Sequence, residues 1–570
     1  MKHKILASLA VASALSMGIA ACSSGGSSSN SGSGGGGTSG AKTGKTLVVE
    51  STPLSPMTDT FNPFSLTATG YLTNAVSLYN EPLFIFNTLN SAQAPIPMLA
   101  TKYAWSDGGT TLTLTIRSGV KWNDGKAFSA SDVAYTYTML KNNPKLNTNG
   151  APIVTSASAP NATTAVLKFS KPQYANLFLI GGVYIVPQHV WSSVSDPSTY
   201  ADANPVGTGP FMLDRFTPQG FTLKQNPHYW NMSAVHVPEI NFPAYNTNAN
   251  LVPPVASGQI DFAGNYIANI QGNYLSKSPD NHTWTSSAPY FSANNVVSLF
   301  LNVTKAPLND PKVRQAISFA INRNQLNVQG ETGYEPPVSS TSGLLLPNHQ
   351  SYQAPSLANN LPATGNPGKV TSILQADGYT KSGGKWAKNG KTIKFAIQDP
   401  VPYSDYYTDD QILSKQLNAQ GFDTSVNGIG NPTVWAGNVA NGNFDATIHW
   451  SNQGPNPYFI YDNWMDSSLT APIGKPAAGD FGRYNSPQAQ AALQQFAGSG
   501  DPATQKAAIV KLEQIMTNDV PVVPLLNGGA WAEVSTRNYT GWPSSSNPYM
   551  NPVPNTPYIE YTILHLTPKS

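Results

Sequence analysis

The sequence predicts an α/β fold, with strands and helices alternating along one long chain, and three stretches carry that prediction. Thr111-Leu112-Thr113-Leu114-Thr115-Ile116 alternates polar and apolar residues strictly, as a half-buried strand does. From Asp310, the apolar residues Val313, Ala316, Ile317, Ala320 and Ile321 fall at i, i+3, i+4, i+7 and i+8, the pattern of a helix burying one face. Between Asp410 and Trp450 the order reads helix, strand, helix, strand, which suggests parallel pairing in an α/β lobe.

The elements follow in order. Val120-Lys121-Trp122 is expected to continue the strand after Ile116, and Asn123-Asp124-Gly125 to make a tight turn. Ser129 should cap a helix, with Asp132 three residues on completing a capping box. Val133, Tyr137 and Leu140 share one face of that helix, and Asn143-Pro144 ends it. Asp310 is the cap of the next helix, and Pro311 takes the first helical position, where its missing N–H costs nothing. A helix from Asp410 to Gln420 is stopped by Gly421. Strands are expected over Phe422 to Val426 and Phe444 to Trp450, on either side of a short helix near Trp435. Helices over Pro487 to Phe496 and Pro502 to Met516 precede a strand over Val520 to Leu526.

The N-terminus reads as an export address. Lys2, His3 and Lys4 precede an apolar run from Ile5 to Ala21, and small residues lead into Cys22, the single cysteine of the chain. Ile19-Ala20-Ala21-Cys22 resembles a bacterial lipobox, whose cysteine is lipidated and becomes the new N-terminus. Residues 1–21 are therefore expected to be a signal peptide, Cys22 the lipidation site, and 22–45 a lipid-anchored linker. Sixteen of the eighteen residues from Ser23 to Gly40 are Gly or Ser, a composition that cannot bury enough surface to fold.

Composition excludes several functions. Without residues 1–21 the chain carries 30 basic and 30 acidic residues, with no basic run, so nucleic acid is not an expected partner. One cysteine leaves no disulfide and no cysteine metal site. No motif for a serine hydrolase, a zinc peptidase or a phosphate loop is present, and the eight histidines show no metal-ligand spacing. The charged fraction of 11% is far below the roughly 25% usual for soluble domains. Two readings of it stand side by side: an acidic habitat, where carboxylates are poor solubilisers, and a neutral ligand.

Several segments together resemble the family 5 extracellular solute-binding proteins, the oligopeptide- and dipeptide-binding lipoproteins of ABC importers. Pro97-Met98-Leu99-Ala100, Trp105-Ser106-Asp107-Gly108-Gly109, Ile116 through Gly125 and Ala130-Ser131-Asp132-Val133 carry the longest match. Ile185 through Trp191, Gly207-Thr208-Gly209-Pro210-Phe211, Asn226 through Trp230 and Asn302 through Arg323 carry the others. The resemblance implies an α/β, two-lobed, periplasmic-binding-protein-like fold with a hinge and an additional subdomain inserted in the first lobe. Residues 46–78, 205–295 and 528–570 would form the first lobe, 79–204 the insertion and 296–527 the second lobe. It also implies a receptor at the extracytoplasmic face of the membrane, partnered by the permease subunits. From the missing motifs and scattered histidines the protein is expected not to be an enzyme and to hold no cofactor or metal, and a monomer is expected.

Ligand is expected between the lobes. Peptide-binding relatives hold the peptide ammonium with an Asp shortly after a Trp that ends a second-lobe strand. The matching stretch here is Trp450-Ser451-Asn452-Gln453-Gly454-Pro455-Asn456-Pro457-Tyr458, where Gln453 and Asn456 stand in place of carboxylates. An amide holds a buried ammonium poorly, whereas amides and aromatic faces suit hydroxyls and the apolar side of a sugar ring. The expected ligand-binding residues are Trp450, Asn452, Gln453, Asn456 and Tyr458, with Trp435, Trp464 and Trp531 as further platforms and Asn62 and Phe64 bordering the cleft. His449 is the one imidazole near this site. The expected function is capture of a neutral oligomeric solute, with an oligosaccharide favoured. The alternatives are an oligopeptide or dipeptide receptor and a secreted carbohydrate-active hydrolase.

Overall fold

The computed structural model describes residues 44–50, 54–90, 92–246 and 248–569. Cys22, the signal segment and all but the end of the Gly/Ser linker lie outside the described residues. The architecture is mixed α/β, built on two large sheets and one smaller one.

The first sheet has seven strands in the order Asn281–His282, Glu533–Ser535, Phe262–Ala263, Leu47–Glu50, Glu239–Pro243, Gly220–Gln225 and Phe211–Thr217. Its apolar side buries Leu47, Val49, Phe221, Leu223 and Ile240 with Phe61 and Tyr79. The second sheet has five strands, in the order Asp423–Val426, Lys394–Ile397, Ala446–Trp450, Ser292–Leu301 and Val522–Ala530. The first three run parallel, through the pairs Ile397↔Val426 and Ile397↔Ala446. The last two are antiparallel to each other, from Ser292↔Ala530 to Phe300↔Val522. Residues alternate across this sheet: Val297, Leu299 and Leu301 face one core, Val296 and Phe300 another. The two sheets are the centres of two lobes. The chain crosses between them from His282 to Ser292 and returns from Ala530 to Glu533. A four-stranded antiparallel sheet (Ala100–Ser106, Thr111–Ile116, Thr164–Lys168, Ser156–Asn161) packs with helix Ala130–Asn142 around a separate core containing Trp122 and Trp191.

Most of the expected elements form, and the differences have local causes. The capping box at Ser129 is complete, with Asp132 accepting from the Ser129 N–H at 3.0 Å. Asp310 caps Pro311–Ala320, and Gly421 ends its helix in the left-handed region at φ 99°. The strand does not continue through Val120–Trp122. It ends at Ile116, because Gly119 turns the backbone at φ 77° and Lys121 keeps only a lone bridge to Ala127. The helix ending at Gln420 begins six residues earlier than expected, at Ser404, without a side-chain cap. Strand Lys394–Ile397 is not among the expected elements, yet it lies between the two strands whose parallel pairing was expected.

Candidate functional site

All five strands of the second sheet present the same edge to the other lobe. The carboxyl ends of Lys394–Ile397, Asp423–Val426 and Ala446–Trp450 lie there, and the two crossing strands run past that edge into the first lobe. In open α/β sheets the carboxyl ends of the strands bound the ligand crevice. The loops that leave them are therefore the candidate site.

Trp450, the last residue of its strand, stands at this edge with 38% of its surface exposed, unusual for so large an apolar side chain. His449 stacks on it at 4.4 Å between ring centroids, Trp435 lies at 6.2 Å and Tyr406 at 6.4 Å. Trp435 itself is buried: its indole N–H donates to Thr447 Oγ1 at 2.9 Å, and Thr447 donates to Asp399. The ring is thus held from beneath, and Tyr403 packs on it at 5.9 Å. Burial pushes His449 down to about 4, so the imidazole is neutral near pH 7. Its Nδ1 lies 2.8 Å from the Trp450 carbonyl. The residue is a packing partner of the aromatic plate.

A second aromatic group belongs to the crossing and its surroundings. Trp531 follows the returning strand and packs against Phe291 (4.7 Å), Tyr266 (5.5 Å) and Tyr334 (6.0 Å). The Tyr334 hydroxyl donates to the Ile267 carbonyl and accepts from the Ile270 N–H, at 3.0 and 2.8 Å, so a loop of the second lobe is tied to the first. Tyr266 meets Thr332 in the same region.

Carboxyl groups crowd the floor beneath. Glu331, Glu335, Asp399, Asp409 and Asp410 are all buried, and no ion pair among the described residues includes them. Burial raises all five above the usual carboxyl range, and mutual repulsion adds to the rise for Glu331, Asp409 and Asp410. Asp399 is anchored by the Ile448 N–H at 2.8 Å, and Glu335 by the Gly529 N–H at 3.0 Å. The half-buried Asp405 is also raised, by burial.

The structure brings some of the expected residues together and separates others. Trp450, Asn452 and Gln453 are exposed side by side at the edge. Asn456 accepts from the Tyr458 N–H just ahead of helix Tyr458–Met465, while Tyr458 is buried and stacks on Phe496 at 5.1 Å. Trp464 is 1% exposed inside the second lobe, edge-on to Tyr461. Asn62 is buried, donating to the carbonyls of Pro197 and Tyr200 and accepting from the Phe64 N–H. Phe64 packs edge-on to Trp191 in the core of the smaller sheet. Tyr403, Asp405, Tyr406, Tyr266 and Tyr334 are not among the residues expected from sequence. Recognising the strand Lys394–Ile397 would have flagged the first three, since they follow its carboxyl end.

Comparisons with known proteins agree on the architecture. The model of the bacterial extracellular solute-binding proteins, family 5 middle, matches residues 94–471, which is 378 of the 570 residues. A glutathione-binding protein of Salmonella typhi is 27% identical over 288 residues, 50% of this chain and 53% of the relative, so the match spans about half the relative's length. Among solved structures, a periplasmic oligopeptide-binding protein of Thermotoga maritima superposes with a TM-score of 0.83 at 24% identity, covering 92% of this chain and 99% of that one. A second structure of that protein, with mannohexaose bound, gives 0.76 at the same identity and coverage.

Proposed function

The chain belongs to the bacterial extracellular solute-binding proteins of family 5, and from that membership we propose that it is the solute-capturing component of an ABC importer, with a neutral oligosaccharide as its cargo. The lobes close on the solute about the two crossing connections and present the closed form to the permease. The observation that carries the choice of cargo is one of charge. The segments at the lobe junction, 265–271, 283–295, 326–350, 398–410, 427–436, 449–465, 526–532 and 543–557, contain no Lys and no Arg. A solute with carboxylates, such as a peptide C-terminus or glutathione, would enter this cleft without a counter-charge. Exposed Trp450 with Asn452 and Gln453 beside it offers a flat apolar face next to amides, which suits a sugar ring. The mannohexaose complex of the Thermotoga protein supports the same cargo class on this fold.

Asp405 favours a second reading. It is half-buried next to Tyr406, itself beside Trp450, and could hold the ammonium of an oligopeptide. Calorimetric titration of the full-length protein with cello-, chito-, xylo- and manno-oligosaccharides against mixed peptides separates the two. Tight binding of peptides alone contradicts the oligosaccharide reading.

We also propose that Cys22 is lipidated and that the Gly/Ser tract tethers the receptor at the extracytoplasmic face of the membrane. Such an anchor raises the receptor's effective concentration at the permease. Cys22→Ala should release the protein from the membrane fraction and reduce uptake while leaving solute affinity unchanged; a membrane-bound variant would contradict the anchor.

A further inference from the structure

Tyr334 belongs to the second lobe by its chain and to the first lobe by its side chain. Leu326 before it and Val338 after it are buried in the second-lobe cores, and the Val338 N–H donates to the Leu525 carbonyl at 3.1 Å. The Tyr334 ring, 2% exposed, instead lies in a first-lobe core with Ile260, Ile267, Ile270 and Tyr274. Its hydroxyl completes the fit. Ile270 opens helix Ile270–Asn273, so no carbonyl of that helix can accept its N–H, and Tyr334 accepts it at 2.8 Å.

A tight turn aims the ring. The Tyr334 N–H donates to the Glu331 carbonyl at 2.9 Å, and the Gly333 N–H to the Asn327 carbonyl at 2.7 Å, which fixes the turn to the second lobe. Its central residues are both left-handed, Thr332 at φ 50° and Gly333 at φ 86°, as a type I′ turn requires. A Cβ on Gly333 would meet nothing within 4 Å, so the backbone and not the space calls for glycine. Thr332 is a β-branched residue in a region such residues rarely adopt, and its side chain meets Tyr266 of the first lobe. Two side chains of one stiff turn thus reach across the junction.

We propose that the turn 331–334 is a third, non-covalent hinge, with Tyr334 as a pivot that stays seated in the first lobe while the lobes open and close. The assignment rests on the closing motion proposed above and is independent of the cargo. Position argues for a pivot over a catch. The ring lies against the two crossing connections, 5.6 Å from Phe291, 5.8 Å from Tyr290 and 6.0 Å from Trp531 between centroids. In a hinge rotation, points next to the axis move least. Two chain crossings alone leave the lobes free to twist as well as bend, and a third attachment beside them narrows the range that solute binding must order.

The test combines hydrogen exchange at single amides with small-angle X-ray scattering, on the full-length protein alone and with mannohexaose, cellohexaose or a nonapeptide. The Ile270 amide should exchange at least about a hundred-fold more slowly than an unstructured amide in every state, while the radius of gyration falls with the compound that binds. Tyr334→Phe keeps the ring and should speed exchange at Ile270 about ten-fold or more. Tyr274, whose N–H donates to the Ile270 carbonyl at 3.0 Å, should stay protected in that variant. Tyr334→Ala empties the socket and should enlarge the solute-free radius of gyration. An Ile270 amide that loses protection in the solute-free wild type, with Tyr274 still protected, means that the ring leaves its socket and overturns the pivot. So does a Tyr334→Ala protein that scatters as the wild type does. If Tyr334→Ala fails to fold, the Ile270 measurement on the wild type decides. A radius of gyration unchanged on binding contradicts the closing motion itself, whatever Ile270 does.

Discussion

Trp450 shows how one side chain can stay exposed at a sheet edge while chemically identical neighbours are core. Four tryptophans, Trp435, Trp450, Trp464 and Trp531, share composition and aromatic surroundings in the sequence, and only position separates them. Trp464 and Trp435 are nearly enclosed, and the Trp435 indole N–H is paired with Thr447. Trp450 ends a strand at the sheet edge, stacked on His449 with Trp435 and Tyr406 nearby, and keeps 38% of its surface exposed. Large aromatic residues bury well in either role, so sequence could nominate the set and could not sort it. The burial of Asn62 was not legible either, since its hydrogen bonds go to carbonyls about 135 residues away. At this scale the prediction is a contrast. Trp450→Ala should weaken oligosaccharide binding at least ten-fold, about 1.4 kcal/mol or more. Asp405→Asn should leave that affinity within about three-fold, whereas a receptor for a peptide ammonium would lose far more. Calorimetric titration of both variants checks it.

The elements were more legible than the residues because their periods are written locally. The alternation at Thr111–Ile116, the capping box at Ser129 and the proline-led helices at Pro311, Pro487 and Pro502 all formed. What escaped was short or uncapped. Lys394–Ile397 has four residues, too few to display a period, and its strand status comes from its neighbours on both sides. The capping box also has a reach that sequence did not show. Asp132 Oδ1 accepts from the Gln188 N–H at 3.0 Å while Oδ2 accepts from Ser129, so one buried carboxylate joins the helix to a segment 56 residues on. Asp132→Ala leaves two part-buried N–H donors without their acceptor and should cost about 1–3 kcal/mol, at ~0.5–1.5 per hydrogen bond, measured by denaturant unfolding; a cost below about 0.5 kcal/mol would make the carboxylate dispensable.

Helix Ser404–Gln420 makes a prediction of a different kind. It buries Asp409 and Asp410 beside Asp399 and Glu331 with no cation among them. Elsewhere burial pushes Asp202 up to about 7 and Asp480 up to about 9. These folded-state values lie above the ~4 of an unfolded carboxyl, so folding takes up protons. The stability they contribute is full below about pH 4 and is lost as pH rises through about 7 to 9. Melting temperature should therefore fall between pH 5 and pH 8. Asp202→Asn replaces a buried carboxyl that ionises as pH passes about 7 with a neutral amide, and should raise melting at pH 8 by about 2–4 °C, the shift that ~1 kcal/mol gives in a domain of ordinary size. Scanning calorimetry checks both, and a wild type more stable at pH 8 than at pH 5 would contradict the buried-acid account.

For the whole molecule, the two-lobed plan follows from a simple fact of connectivity. Two sheets, each with its own core, are joined by the connections that cross between them and by the contacts of Tyr334, and the carboxyl ends of three parallel strands open at that junction. Family resemblance in the sequence announced this plan, because the scaffold segments around Trp122 and Asp132 are long and contiguous. The cleft was less legible, being assembled from loops that lie far apart in the chain and become neighbours only when the lobes fold. Its lack of Lys and Arg becomes visible only after those loops are placed together, and that absence supports the neutral cargo. The most direct test of that cargo is one titration series on the full-length protein. A neutral hexasaccharide should bind at micromolar Kd or tighter, and peptides and glutathione should bind at least a hundred-fold more weakly; tight peptide binding with no measurable heat from any oligosaccharide would contradict the account.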